Sequence, residues 1–226
     1  MPKRLILLTG GFDAEILVRH FRQANPHIPV TWVRTLDDLM LAADRGPPAR
    51  LISFCNGVIV PQSLLARMDG PSYNVHPGPP TFPGRYPECW GAYLGARRFG
   101  ATLHVMLPRV DEGEIIDTRW VDMPPDAGQR LYSREGFRAA TRLLIDWSMP
   151  LATIDGGFPA NGERWEGRKW RLADIHELAL IGDDVDEAEF ERRRRAFAEI
   201  PGCSLRIERH GRVFTYIVPA DETPAG

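Results

Sequence analysis

The chain lacks several features that would send a protein across a membrane or onto a polyanion. It holds only three cysteines, Cys55, Cys89 and Cys203, widely spaced and without a Cys-x-x-Cys pair, which supports neither a disulfide framework nor a zinc site. No metal is expected, and a reducing cytoplasm is the expected compartment. No apolar run approaches the roughly 18 residues that cross a bilayer. The opening Met1-Pro-Lys-Arg-Leu-Ile-Leu-Leu-Thr-Gly-Gly11 has too short an apolar region for a signal peptide and no small-residue cleavage site. It reads instead as a buried first strand of a soluble protein. Charge of one sign is scarce too: the formal net charge is −2, which gives no reason to expect nucleic acid or a membrane as partner. A small substrate is expected. There is no internal repeat and no low-complexity tract.

What is present is 226 residues, 43% of them apolar, enough for one core with an appendage. Apolar β-branched runs alternate with amphipathic stretches through residues 1–157. That is the pattern of an α/β protein with a Rossmann-like, mostly parallel sheet and helices on both faces. Expected strands are 4–9, 30–34, 51–55, 72–76 and 101–107. Expected helices are 13–23, 36–44, 61–68 and 88–98, several opening with Asp or Pro. A longer helix from Gln129 closes the domain near Leu151, with Pro150 marking its end. Residues 158–226 form a C-terminal extension. It comprises a polar, aromatic-studded connector, a charged helix over 186–200 and a β-hairpin over 205–218 that turns at His210-Gly211.

The most informative stretch is Pro71-Ser-Tyr-Asn-Val-His-Pro77, a short strand stopped by proline. A strand alternates its faces with period two, so Asn74 and His76 point the same way. Ligands of open parallel sheets sit outside the carboxyl ends of the strands, and the loop Leu107 to Gly113 is expected to leave the carboxyl end of the next strand. Asp111, 35 residues after His76, can then approach the imidazole, where its carboxylate favours the protonated ring. An amide, an imidazole and a carboxylate in one cleft suit acyl transfer.

Asn74-Val-His-Pro-Gly-Pro-Pro-Thr-Phe-Pro-Gly84, Gly100-Ala-Thr-Leu-His104 and Asp111-Glu-Gly-Glu-Ile-Ile116 together resemble the folate-dependent formyltransferases, in order and spacing, most strongly over residues 50–122. Among them the chain is most like the short, free-standing sugar N-formyltransferases. The resemblance implies that the formyl group of 10-formyltetrahydrofolate passes to an amine, with Asn74, His76 and Asp111 as the catalytic trio and no metal. It further implies that Phe54, Asn56, Gly57, Val58, Ile59 and Val60, together with Leu107, Val110 and Gly113, border the folate. Asn74 and protonated His76 would donate to the oxygen on which charge builds. Asp111 would hold His76 charged and relay protons through water. His104 would support the site.

The loop Gly78 to Glu88 is one residue shorter and richer in proline than the family's usual Ser-Leu-Leu-Pro and Arg-Gly pattern, so it bears on the acceptor. A nucleotide-linked amino sugar is the expected acceptor, and the hairpin is a candidate dimer contact. A formyltetrahydrofolate hydrolase, a transferase acting on hydroxyornithine and a folate-binding module without turnover remain alternatives. Thr9-Gly-Gly-Phe-Asp13 places a carboxylate where phosphate repulsion would result, against the purine-pathway member. The initiator-tRNA member would need a longer basic C-terminal domain. Among other features, Arg192 to Arg195 reads as a paired, solvated helix face and Cys89 as a buried inert thiol. Trp165, Trp170 and Tyr216 could stack on a ligand or pack the tail onto the core.

Overall fold

The computed structural model describes residues 1–11, 14–198 and 204–217. Strands β1 (Leu5–Thr9), β2 (Val30–Val33), β3 (Arg50–Phe54) and β4 (Tyr73–His76) alternate with helices α1 (Ala14–Ala24), α2 (Leu36–Asp44) and α3 (Gln62–Leu65). Every residue of β1 and β3 is buried, as central strands covered on both faces must be. Then come α4 (Pro87–Leu94), β5 (Arg98–Val105), β6 (Ile115–Asp122) and the long α5 (Gln129–Thr153). The six strands form one sheet in the order β2-β1-β3-β4-β5-β6. β1 pairs with β2 and β3, and β3 with β4, in parallel, whereas β5 runs antiparallel to both β4 and β6. The expected mostly parallel α/β architecture is what is observed.

The two faces of this sheet are not equivalent. On one, Ile52, Phe54, Tyr73, Val75, Ala101 and Leu103 pack against Leu17 and Phe21 of α1 and Ala139, Ala140, Leu143 and Leu144 of α5. On the other, Ile6, Leu8 and Leu51 are covered by Leu39 of α2 and Leu64 of α3. That cover stops at β3. On β4 and β5 the same face carries Asn74, His76, Thr102 and His104, with Ser53 opposite Asn74 on β3.

Two buried arginines tie helix ends to the sheet. Arg4 donates from Nη1 to Ala42 O (2.9 Å) at the end of α2. Arg50, 1% exposed, donates to Leu151 O (2.8 Å), Ile154 O (2.8 Å) and Gly156 O (2.7 Å) at the end of α5. A cation there meets the unpaired carbonyls and the negative end of the helix dipole together.

Several boundaries differ from the sequence reading. The helix expected over 88–98 stops at Leu94, because Gly95 takes a left-handed cap with φ 64°, and β5 begins three residues before the expected 101. α5 continues through Pro150 to Thr153. Proline is tolerated so near the helix end, where the next cap bond runs from Ile154 N–H to Pro150 O at 3.0 Å. β6 was not expected. It is an edge strand whose Asp117, Arg119 and Asp122 break up the apolar signal, and Gly100 lets it close on β5, since a Cβ there would lie 1.9 Å from Arg119 O.

Beyond α5, a connector leads to α6 (Leu172–Leu178), β7 (Leu180–Ile181), α7 (Glu187–Phe197), β8 (Arg206–Arg209) and β9 (Arg212–Thr215). The short α6 and β7 were also not expected. The charged helix ends before the expected Ile200, which lies outside the described residues, as do Asp13, Cys203 and Val218. The hairpin turns at His210 (φ 53°) and Gly211 (φ 69°), both left-handed as a two-residue turn of this kind requires. β8 also pairs with β7, giving a second, three-stranded sheet. Ile175, Phe197 and Leu205 of this region share a core with Trp90, Phe99 and Tyr132. The arginine run is paired, as its sequence context leads one to expect: Arg192 and Arg193 with Glu189, Arg194 with Glu191, and Arg195 with Asp126.

Arg50→Met strips three buried carbonyls of their donor and is expected to cost about 3 kcal/mol, measurable as a lowered midpoint of urea unfolding.

Candidate active site

The uncovered part of the sheet face is where the candidate residues meet. Asn74 and His104 are direct partners across β4 and β5, as are His76 and Thr102. Because β5 is antiparallel to β4, the segment after β5 leaves at the amino end of β4, opposite to the expected exit at the carboxyl ends. Val105 N–H donates to Glu114 O (2.9 Å) and Met106 N–H to Ser72 O (2.8 Å). Residues 106–113 therefore form a closed excursion that folds over the polar face, and that is how Asp111 reaches the histidines. Gly113 sits at its base, where a Cβ would lie 1.8 Å from Val105 O. Asp111 itself has φ 50°, a left-handed conformation that Asp tolerates better than most residues.

Asp111 is 6% exposed. Its Oδ2 accepts from Gly84 N–H at 2.7 Å and lies 3.8 Å from His76 Nδ1, while its Oδ1 lies 3.5 Å from His104 Nε2. His76 Nε2 is 3.0 Å from Phe82 O, and a carbonyl can only accept, so Nε2 carries a hydrogen. On His104, Nδ1 is 2.9 Å from Val105 O, which by the same argument places a proton on Nδ1. Nε2 of a neutral His104 is then an acceptor, and Asn74 Nδ2, 3.0 Å away, donates to it. One hydrogen of the Asn74 amide is thereby used and the other is left for the cavity that Asn74 lines.

Burial pushes His104 down from its ordinary range to about 4, against the weaker opposing pull of Asp111, with His76 adding to the depression. A neutral ring is also what the hydrogen bonds require, since a second proton on Nε2 would face the Asn74 donor. Behind His76, at the start of α4, burial raises the Glu88 carboxyl above the usual range. Thr102 Oγ1 donates to Gly78 O at 2.8 Å, holding the proline loop over the strands.

Asn74, His76 and Asp111 open on a cavity of about 390 Å³ that is also lined by Ser53, His104 and Met106. Asn56, Gly57, Val58, Ile59 and Val60 form one wall, Leu107 and Val110 another. Of the residues expected to border the folate, Phe54 and Gly113 are not among its lining. Phe54 is buried in the core beneath. Gly84 and Arg85 of the proline loop and Lys169, Trp170, Arg171 and Leu172 also line the cavity, with Arg85 reaching Gly57. Arg85 and Gly84 lie within the divergent loop and Trp170 was a stacking candidate, whereas Lys169, Arg171 and Leu172, at the end of the connector and the start of α6, carry no spacing signal to find them by.

The connector is sewn to the site. Glu166 N–H donates to Pro80 O (3.0 Å), Trp170 N–H to Pro83 O (3.1 Å) and Arg85 N–H to Trp170 O (2.9 Å). Lys169 Nζ pairs with Glu112 at 2.5 Å. Gly84 makes the close passage possible, with φ 101° and a would-be Cβ 2.2 Å from Trp170 O. The Trp170 ring stacks on Trp90 at 3.8 Å, and Tyr216 packs edge-on to Phe190.

No family model matches this chain. In sequence it is similar to a methionyl-tRNA formyltransferase of Roseiflexus castenholzii, 25% identical over 181 residues that make up 78% of this chain and 57% of that protein. The chain thus spans little more than half the length of that relative. In fold it is similar to a sugar N-formyltransferase from a Shewanella species, with a TM-score of 0.77, 14% identity and coverage of 95% and 96% of the two chains. The N-formyltransferase of Helicobacter canadensis, solved with folinic acid and dTDP-3-aminofucose, gives a TM-score of 0.68 at 15% identity over 93% and 85%. The fold is therefore the one that solved N-formyltransferases have.

The depressed His104 sets a pH dependence of stability. Between its ordinary value near 6.5 and the folded value of about 4, the unfolded chain binds the extra proton, so stability is intact above the upper limit and falls as the pH falls through this window. The loss is on the order of 3 kcal/mol. Urea titrations at pH 7, 6, 5 and 4 should show it, with a shallower dependence in His104→Gln.

Proposed function

We propose that the protein is an N-formyltransferase that moves the formyl group of 10-formyltetrahydrofolate to the amine of a nucleotide-linked amino sugar. The observation that carries this reading is the convergence of Asn74, His76 and Asp111 on one cavity of about 390 Å³, in a chain whose fold is shared with N-formyltransferases. The cavity fits the donor chemically. Its Asn56 to Val60 wall offers backbone polar groups to a pterin edge, and Ile59 (64% exposed), Leu107 (45%) and Val110 (43%) offer an apolar rim to an aromatic linker. The Helicobacter protein's complex with folinic acid and an amino sugar nucleotide is the precedent for pairing these ligands.

In the reaction the amine nitrogen bonds to the formyl carbon, the bond from that carbon to the folate nitrogen breaks, and a net proton passes from amine to folate nitrogen. The free N–H of Asn74 is placed to stabilise charge on the formyl oxygen. Asp111, fixed by Gly84 N–H, faces the Nδ1 of His76 and holds a proton on that ring as the amine loses its own. His104 keeps the Asn74 amide in its donating orientation. Residues 1–157 serve as the catalytic domain, and the extension 158–226 supplies one wall of the cavity. The three cysteines, widely spaced and without a Cys-x-x-Cys pair, favour a reducing cytoplasm. The hairpin, with Val213 62%, Phe214 54% and Ile217 83% exposed, is the proposed homodimer contact.

Purified protein given 10-formyltetrahydrofolate should consume it only when an acceptor is present, and fastest with a nucleotide amino sugar. Formate release without any amine would make it a hydrolase, and tight folate binding with no turnover a binding module. Asn74→Ala, His76→Ala and Asp111→Ala should each lower kcat about 100-fold or more; a near-wild-type rate in any of them sinks the assignment.

Arg85 offers the acceptor a charge. It lines the cavity, and its guanidinium lies across Gly57, where a Cβ would be 2.2 Å from Nη1. Arg85→Gln should raise the acceptor KM about tenfold, and do so for a phosphate-bearing amino sugar but not for the free sugar. Equal effects on the two would remove phosphate from its role.

A further inference from the structure

We infer that Trp165 is a positioning residue that keeps water from the histidine pair and so commits the donor to transfer rather than hydrolysis; this rests on the transferase reading above. Among the described residues no helix packs over the polar face of β4 and β5 as α2 and α3 do over β1 and β3, so something else must close it. Trp165 sits edge-on to both imidazoles, with ring centroids 4.9 Å from His104 and 5.8 Å from His76. Its Nε1 donates to Gly113 O at 2.8 Å, at the base of the excursion that carries Asp111. One side chain thus touches both histidines and the loop that brings the carboxylate to them. It does not itself line the cavity and acts through the two rings it packs against. Its position matches that of a seal behind the reacting groups.

The physical reason for a seal is that water competes with the amine. In hydrolysis the water oxygen bonds to the formyl carbon, the bond to the folate nitrogen breaks, that nitrogen takes up a proton and formate leaves. The groups that favour amine attack, Asn74, His76 and Asp111, would favour water equally, so discrimination must come from access. Trp165 denies access from the side on which the sheet has no helix. It also adds to the burial that lowers His104, which the facing Asp111 carboxylate opposes and His76 reinforces, while Glu88 faces His76.

The test compares wild type with Trp165→Phe and Trp165→Leu. Formate release and acceptor formylation are measured in the same reaction, and the histidine ring protons are followed by NMR against pH. Trp165→Leu is expected to raise the ratio of formate to formylated amine about tenfold and to move the His104 titration upward from about 4 toward its ordinary range. Trp165→Phe, which keeps a ring but loses the bond to Gly113, should retain most of the wild-type ratio. Equal losses of both products in Trp165→Leu, with an unmoved His104 titration, would show a merely structural residue and overturn the proposal. Should Trp165→Leu not fold, a Trp165→Phe protein with wild-type ratio but no greater shielding of His104 than a solvent-exposed histidine overturns it as well. If the wild type formylates no amine and releases no formate, the transferase reading fails first, while the NMR titration still reports whether Trp165 shields the pair.

Discussion

The hydrogen bond from Gly84 N–H to the Asp111 carboxylate is the contact on which the site depends. It joins the proline loop after β4 to the excursion after β5, two segments that approach from opposite ends of the sheet. A carboxylate buried to this degree is costly unless it is satisfied, and here Oδ2 accepts from the Gly84 backbone and faces the His76 ring. Gly84 alone among amino acids suits the position, because its φ of 101° and the Trp170 carbonyl leave no space for a side chain. The bond therefore couples three parts of the chain: the proline loop, the Asp111 excursion and the connector.

The same economy governs the histidines. Neither ring has a nitrogen left without a partner or a charge to face, and the partners are mostly backbone: Phe82 O for His76 and Val105 O for His104. Backbone acceptors cannot rotate away, so they set which nitrogen bears the proton. Asn74 is oriented in turn, and its remaining N–H becomes the polar group free to act on a ligand. A network whose protonation pattern is set before the ligand arrives needs little reorganisation during reaction.

The extension beyond residue 157 is part of this arrangement and not an independent appendage in energetic terms. Trp90 stacks on Trp170, Phe197 packs edge-on to Trp90 at 5.7 Å, and α7 lies against α4. Burying that aromatic cluster holds the connector across the proline loop, which in turn shapes the part of the cavity lined by Gly84, Arg85 and Lys169 to Leu172.

The sequence by itself determined the α/β layering, because runs such as Leu5 to Leu8 are apolar throughout, Leu51 to Phe54 is apolar but for Ser53, and amphipathic segments separate them. It also determined that Asn74 and His76 share a face, since period two is a property of any strand. His104 was legible only as a supporting residue, and β6, α6 and β7 were not legible at all. An edge strand is half-solvated, and seven- and two-residue elements are too short for their periodicity to register. Only the tertiary structure decided that β5 runs backward beside β4. That reversal is invisible to local pattern, because strand direction depends on where the connecting segment packs. It changed the route by which Asp111 reaches His76, from a shared carboxyl end to a loop folded across the sheet face. The partners of Trp165 and Trp170 were likewise decided by packing between segments some 50 to 90 residues apart, a distance over which spacing carries no information.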